Sequence, residues 1–127
     1  RLRDCTLDVF GMVLDQPDET HRRLKDFLSR PDRPTAILCD GDFRAQAVYT
    51  VAAQLGLSIP GELSVVGTHD TPWAQTLYPK LTSVNLGEAN AAELVAWLCL
   101  SSSAPAEFAC RIEPKLVRRD STSNREE

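Results

Sequence analysis

The chain has 127 residues, 43% of them hydrophobic, with 14 basic against 18 acidic side chains and a formal net charge of −4. That length suits one domain able to bury roughly two-thirds of its unfolded surface, and the near-average composition excludes disordered, collagen-like and disulfide-scaffold chains. No apolar run approaches the ~20 residues of a membrane helix, no opening segment reads as a signal peptide, and an acidic balance without a dense Lys/Arg stripe speaks against nucleic-acid binding by this piece alone. The expectation is a soluble, cytoplasmic single domain with no membrane partner, and Arg1 in place of Met is read as the start of a fragment.

Strands and helices alternate along the chain. Thr6–Leu14 (TLDVFGMVL) is rich in Val, Phe and Leu and reads as a strand weakened at Gly11. Asp15 and Pro17 are helix-start signals, Asp18 and Glu19 complement the positive end of a helix dipole, and Leu24, Phe27 and Leu28 form a buried stripe before Pro31. A short apolar strand, Ala36–Cys39, leads to a helix from Phe43 to Leu55, with Ala45, Val48, Tyr49, Ala52 and Leu55 at helical spacing and Gly56 as its C-terminal cap. Pro60-Gly61 turns into the buried strand Leu63–Gly67, followed by the loop His69–Pro72 and one helical turn through Trp73 and Leu77. Leu81–Leu86 reads as extended, Glu88–Leu100 as helical, Ser101–Pro105 as a linker and Cys110–Arg118 as extended again. The segment from Ser121 to Glu127 reads as a polar, disordered tail after a domain of residues 1–120.

Strands alternating with helices of ten or more residues specify βαβ units, hence an α/β fold with a mainly parallel sheet flanked by helices. Ligands of such sheets sit beyond the carboxyl ends of the strands, which directs attention to Asp40-Gly41-Asp42 and to Thr68-His69-Asp70. Asp40 and Asp42 are spaced like the aspartate pair of haloacid-dehalogenase-like phosphatases, one attacking phosphorus and the other moving a proton. Phe43-Arg44 follows where that motif prefers a small β-branched residue, and the bland reading is that Asp42 caps the helix beginning at Phe43. His69-Asp70 could be a base with its orienting carboxylate, but neighbours in sequence point apart and no nucleophile elbow accompanies them. His21 falls on the polar face of an exposed helix, so it does not converge with His69 on a metal. Cys5, Cys39, Cys99 and Cys110 form no CxxC pair and read as buried free thiols rather than zinc ligands or disulfides. Neither metal nor cofactor is expected, and no enzyme activity.

The order of several segments carries more than any one of them. Arg33-Pro34-Thr35-Ala36-Ile37, Asp42 opening a helix that ends Gln54-Leu55-Gly56-Leu57, Ile59-Pro60-Gly61-Glu62-Leu63-Ser64-Val65-Val66-Gly67, a loop with Asp70, Pro79-Lys80-Leu81-Thr82-Ser83-Val84 and Pro114-Lys115-Leu116-Val117-Arg118-Arg119-Asp120-Ser121-Thr122 follow one another between Arg33 and Thr122. In that order they resemble the effector-binding core of the lactose/galactose-repressor (LacI/GalR) family of bacterial transcription regulators. The resemblance implies a periplasmic-binding-protein-like fold of two α/β subdomains holding a small molecule, often a sugar, between them. Binding there controls DNA affinity of an N-terminal helix-turn-helix headpiece, so DNA would be met only through a segment absent from this chain.

By that resemblance the chain is the C-terminal subdomain, and the helix Glu88–Leu100 reaches across to the other one. Its run Leu94-Val95-Ala96-Trp97-Leu98-Cys99-Leu100 is apolar all round, which suggests one side against this sheet and the other against a missing partner. The family's effector positions map to Gly41 (often Asn), Asp42, His69 (the first of an acid pair), Asp70, Asp15 or Gln16 (where an aromatic stacks) and Arg3 (a ligand-gripping arginine). Gly and His in place of amide and carboxylate point away from a typical hexose, and His69 could donate to an anionic or carbonyl-bearing ligand. The family dimerises through helices mapping to Gln46–Gln54 and Trp73–Tyr78, which makes Gln46, Tyr49, Trp73, Leu77 and Tyr78 candidate homodimer residues; alternatively Tyr49 belongs to the domain's own helix stripe. Two other functions stay open: a small phosphatase using Asp40 and Asp42, and a periplasmic solute-binding protein.

Overall fold

The computed structural model describes residues 10, 11, 17–101, 105, 107 and 109–124. Its elements in chain order are α1 (Pro17–Leu28), β1 (Ala36–Leu38), α2 (Asp42–Leu55), β2 (Ser64–Thr68), α3 (Trp73–Thr76), β3 (Thr82–Asn85), α4 (Glu88–Leu100) and β4 (Lys115–Val117). The strands form one sheet in the order β1-β2-β3-β4. The first three run parallel, with Leu38 opposite Val66 and Val66 opposite Thr82, and β4 closes the edge antiparallel with Val84 opposite Leu116. The expected mainly parallel α/β architecture is therefore the observed one.

Local chemistry accounts for the helix limits. Pro17 opens α1, where its missing N–H costs nothing, and Arg22 reaches back one turn to grip both carboxylate oxygens of Glu19. The far end of α2 is closed by Gly56 in the left-handed conformation (φ 71°), with the Leu57 N–H reaching the Ala52 carbonyl at 2.9 Å. One face of α1 and α2 supplies Leu24, Leu28, Ala45, Val48, Val51 and Ala52 to the core, against Val65 of β2 and the flanking Leu63 and Leu81. Of the expected strand Thr6–Leu14, only Phe10 and Gly11 lie within the described residues, and Phe10 packs its ring on Phe27 with centroids 5.4 Å apart.

Several expectations need correction. The long extended segment read at Cys110–Arg118 contains only a three-residue strand, because just Lys115–Val117 finds β3 to pair with. Cys39 is a buried free thiol as expected, but Cys99 and Cys110 are exposed, and Cys5 lies outside the described residues. Cys99 is exposed because α4 has no fully buried residue: Ala91, Leu94 and Leu98 are partly buried on one side, while Val95, Trp97 and Leu100 are in the open. His21 lies on α1 away from His69, and its Nε2 meets Gln54 Oε1 at 2.9 Å, tying α1 to α2.

The most consequential correction concerns the C-terminal segment. Ser121 is fully buried rather than part of a loose tail. Its hydroxyl donates to the Val65 carbonyl (2.5 Å) and accepts from the Thr82 N–H (2.8 Å), while its own carbonyl accepts from the Val65 N–H (2.9 Å). It fills the fork where β2 and β3 begin, satisfying backbone groups that the ladder leaves over. Thr122 follows against the Thr82 hydroxyl (3.2 Å), and residues 125–127 lie outside the described set.

Candidate functional site

The carboxyl ends of β1, β2 and β3 open onto three short segments: Asp40-Gly41, His69-Asp70-Thr71 and Leu86-Gly87. The middle one has the most unusual backbone among the described residues. His69 (φ 86°) and Asp70 (φ 51°) are successive non-glycine residues in the left-handed region. Each such residue costs of order 1–3 kcal/mol and persists only where its surroundings over-determine it.

Asp42 provides most of that constraint. The first residue of α2 is 1% exposed, and its Oδ2 accepts from both the Thr71 N–H (2.6 Å) and the Thr71 hydroxyl (2.9 Å). Its Oδ1 accepts from the Ser83 hydroxyl at 2.6 Å, and Ser83 Oγ in turn accepts the Asp70 N–H at 3.1 Å. One buried carboxylate thus joins α2, the loop after β2 and β3. The helix-cap reading of Asp42 is overturned, because α2 has no side-chain cap bond and this carboxylate points across the sheet rather than along its own helix. Space for it exists because residue 67 is glycine; a Cβ there would run into Asp42 Oδ1 and approach Leu81 Cδ2 to 2.8 Å.

Asp70 and His69 turn to different partners, as neighbours in sequence are expected to. Asp70 Oδ1 accepts from Arg119 Nη2 at 2.7 Å, with the two side chains only 15% and 14% exposed. Arg119 also donates through Nη1 to the Leu81 carbonyl (2.8 Å), which holds the guanidinium at two points, while its backbone N–H donates to Thr82 Oγ1 (2.9 Å). The His69 ring, partly exposed, places Nδ1 at 2.5 Å from Glu88 Oε1 at the start of α4. Hydrogen bonding to Glu88 is the largest influence raising the His69 pKa above its usual 6.5, with a smaller contribution from the backbone of Asp40. Asp40 is itself paired with Arg44, which holds its carboxyl below the ordinary value.

The residues expected from sequence therefore divide. Gly41, Asp42, His69 and Asp70 do come together at the carboxyl ends of the parallel strands, whereas Arg3 and Asp15 lie outside the described residues. Asp40 and Asp42 do not form a phosphatase-like pair: one is exposed and bound to Arg44, the other is buried with both oxygens accepting hydrogen bonds. Sequence reading missed Thr71, Ser83, Glu88 and Arg119. The available signal was a run of charged residues, Arg118-Arg119-Asp120, beside an apolar strand, where one charge had to find a partner.

The candidate association residues occupy another face. Tyr49, Ala52, Leu57, Ile59, Tyr78 and Pro79 line a shallow apolar groove. Tyr49 is half-buried and donates to the Pro79 carbonyl at 2.9 Å, so it serves the domain's own packing as well as the groove. Tyr78 is 93% exposed and Trp73 48% exposed; Gln46 is exposed and Leu77 packs against the core.

A four-stranded, mainly parallel sheet with its polar loops gathered at the carboxyl ends of the parallel strands defines an α/β domain of the ligand-binding, layered kind. The family model described as periplasmic binding protein-like domain matches residues 5–122, and the chain belongs to that family. Among curated proteins it is similar to the HTH-type transcriptional repressor PurR of Serratia proteamaculans, 28% identical over 112 residues that make up 86% of this chain and 33% of that protein. It is equally similar to PurR of Escherichia coli O139:H28, 28% over 114 residues, with the same coverage of 86% and 33%. Among solved structures, a LacI-family transcriptional regulatory protein from Corynebacterium glutamicum matches with a TM-score of 0.70 at 28% identity, over 83% of this chain and 42% of that one. The LacI family transcriptional regulator CCPA from Weissella paramesenteroides, with bound sucrose, matches with a TM-score of 0.64 at 26% identity, over 72% and 33% of the respective chains. The chain spans about a third of the length of the curated relatives it matches. Among the described residues no helix is long and apolar enough to cross a membrane.

Proposed function

We propose that this chain is the C-terminal, effector-sensing part of a LacI-type transcription regulator, working in the cytoplasm without catalysis of its own. The observation that carries the reading is the strained His69-Asp70 loop at the carboxyl ends of the strands, held by buried bonds to Asp42, Ser83 and Arg119. In this reading His69 and the neighbouring Gly41 meet a small molecule, with Arg3 and Asp15 contributing from the amino-terminal segment. Asp42 and Asp70 act from behind by fixing the loop. A histidine where the family commonly has an acid favours an effector with an anionic or carbonyl group over a plain hexose. DNA contact belongs to a helix-turn-helix headpiece encoded upstream, and α4 packs its apolar surface on a second subdomain. Gln46, Tyr49, Trp73, Leu77 and Tyr78 form the homodimer face.

The deciding experiment is to read the coding sequence upstream of Arg1. A continuous frame encoding a helix-turn-helix and a first ligand-binding subdomain is the expected result. A secretory signal peptide in place of the headpiece would overturn the reading in favour of a solute-binding protein. On the full-length regulator, calorimetric titration with sucrose and with sucrose 6-phosphate then tests the effector class. His69→Ala is expected to abolish any preference for the phosphorylated sugar.

A further inference from the structure

The contact between His69 and Glu88 spans two parts of the molecule that little else connects. His69 is anchored to the sheet through its strained loop, while Glu88 opens α4, a helix with no buried residue. The intervening link is short: β3 ends at Asn85, whose Oδ1 accepts the Gly87 N–H at 2.8 Å, and Gly87 adopts a left-handed conformation (φ 74°). Alongside that link and the side chain of Ile112 against Gly87, the imidazole–carboxylate pair ties the first turn of α4 to the loop after β2.

The surroundings of the ring favour its charged form on chemical grounds. A neutral imidazole has one N–H and one lone pair, whereas the imidazolium has two N–H donors. Nδ1 faces a carboxylate oxygen of Glu88 at 2.5 Å. Facing a carboxylate, the imidazolium makes a charge-assisted hydrogen bond stronger than the one a neutral ring can donate. The other charges nearby are acidic or already matched: Asp40 from the end of β1 is paired with Arg44, Asp42 at the start of α2 is bonded to Thr71 and Ser83, and Asp70 beside it is held by Arg119. Glu88 also gains from its place in the first turn of α4, where a negative charge complements the helix dipole.

We propose that His69 and Glu88 form a proton-operated latch, in which the imidazolium clasps the first turn of α4 to the carboxyl end of the sheet and deprotonation releases it. The sign follows from the direction of the His69 shift. A histidine stabilised by a carboxylate contributes its full attachment below the ordinary value of 6.5 and loses it as pH rises through its own raised midpoint. The latch is closed on the acid side and open on the alkaline side. It stands on the geometry of this chain and does not require any effector.

The test is NMR titration of the isotope-labelled chain from mildly acidic to mildly alkaline pH. The His69 imidazole resonances should titrate above the ordinary histidine value, and the amides of Glu88, Ala89 and Ala91 should shift with the same midpoint. In Glu88→Gln the His69 midpoint should fall, and those helix amides should stop following it. His69→Gln should remove the shared titration altogether. Helix amides that stay flat through the His69 midpoint, or a midpoint unchanged in Glu88→Gln, would overturn the latch.

Discussion

Replacing Asp42 tests the central claim about the site, that one buried carboxylate holds the loop after β2 in place. In Asp42→Ala the Thr71 N–H, the Thr71 hydroxyl and the Ser83 hydroxyl, now at 2.6, 2.9 and 2.6 Å from carboxylate oxygens, lose their acceptor together. A buried donor left unsatisfied costs about 1–3 kcal/mol. The hydroxyls can rotate toward other partners while the backbone N–H cannot, so the three losses combine to about 3–5 kcal/mol, the range for breaking one member of a buried charged contact. With a urea slope of about 2 kcal/mol/M for a small domain, the unfolding midpoint should fall by about 1.5–2.5 M. Asp42→Asn is the informative companion. Its carbonyl oxygen can still serve Thr71, and its amide faces Ser83 Oγ, which can accept, so the cost should be only about 1–2 kcal/mol. Urea unfolding followed by tryptophan fluorescence measures both. An alanine variant within about 0.5 kcal/mol of the parent chain, a change no larger than ordinary surface substitutions produce, would refute the account. So would an asparagine variant as unstable as the alanine one.

Gly67→Ala should cost about 1–3 kcal/mol in the same assay, because the added methyl group competes with Asp42 and Leu81 for occupied space. Arg119→Met, which leaves Asp70 charged in a largely enclosed position, should destabilise by about 2–4 kcal/mol. Adding Asp70→Asn should recover part of that loss, and strictly additive effects would show that the pair is not coupled. Burial, reinforced by the charges of Asp40 and Asp42, pushes the Cys39 thiol up to about 12. A maleimide at about pH 8 should therefore label Cys99 and Cys110 in the folded chain and spare Cys39 until denaturant is added. Mass mapping that finds Cys39 labelled at the same rate as the other two would contradict its burial.

Much of the architecture was legible because it is written in local chemistry. Gly56 announces the end of α2, and the helix Glu88–Leu100 has its expected limits. The parallel order of β1 to β3 follows from apolar runs separated by helices. What could not be read was the set of partners. Asp42 at the start of a helix has the local signature of a cap, and only the fold brings Thr71 and Ser83, 29 and 41 positions away, within reach of its carboxylate. The all-apolar end of α4 suggested burial on two sides, yet composition cannot say which surface does the burying, and no residue of the helix is fully buried here. Ser121 looked like tail because its neighbours are polar, although its hydroxyl serves the centre of the sheet. His69 was singled out by its position after a strand, while Glu88, its partner, reads as an ordinary first-turn acid.

Ser121 also bears on the order in which the molecule is completed. Its bonds to Val65 and Thr82 close loops of 56 and 39 residues, and long closures of this kind form late because their entropy must be offset before the contact stabilises anything. During synthesis, β2 and β3 emerge from the ribosome well before the serine that seals their common origin. The nascent sheet must wait with the Val65 and Thr82 backbone groups open to water or to another chain. Only when residue 121 arrives does the fork close, so the segment around Ser121 acts as the fastening of strands laid down long before it.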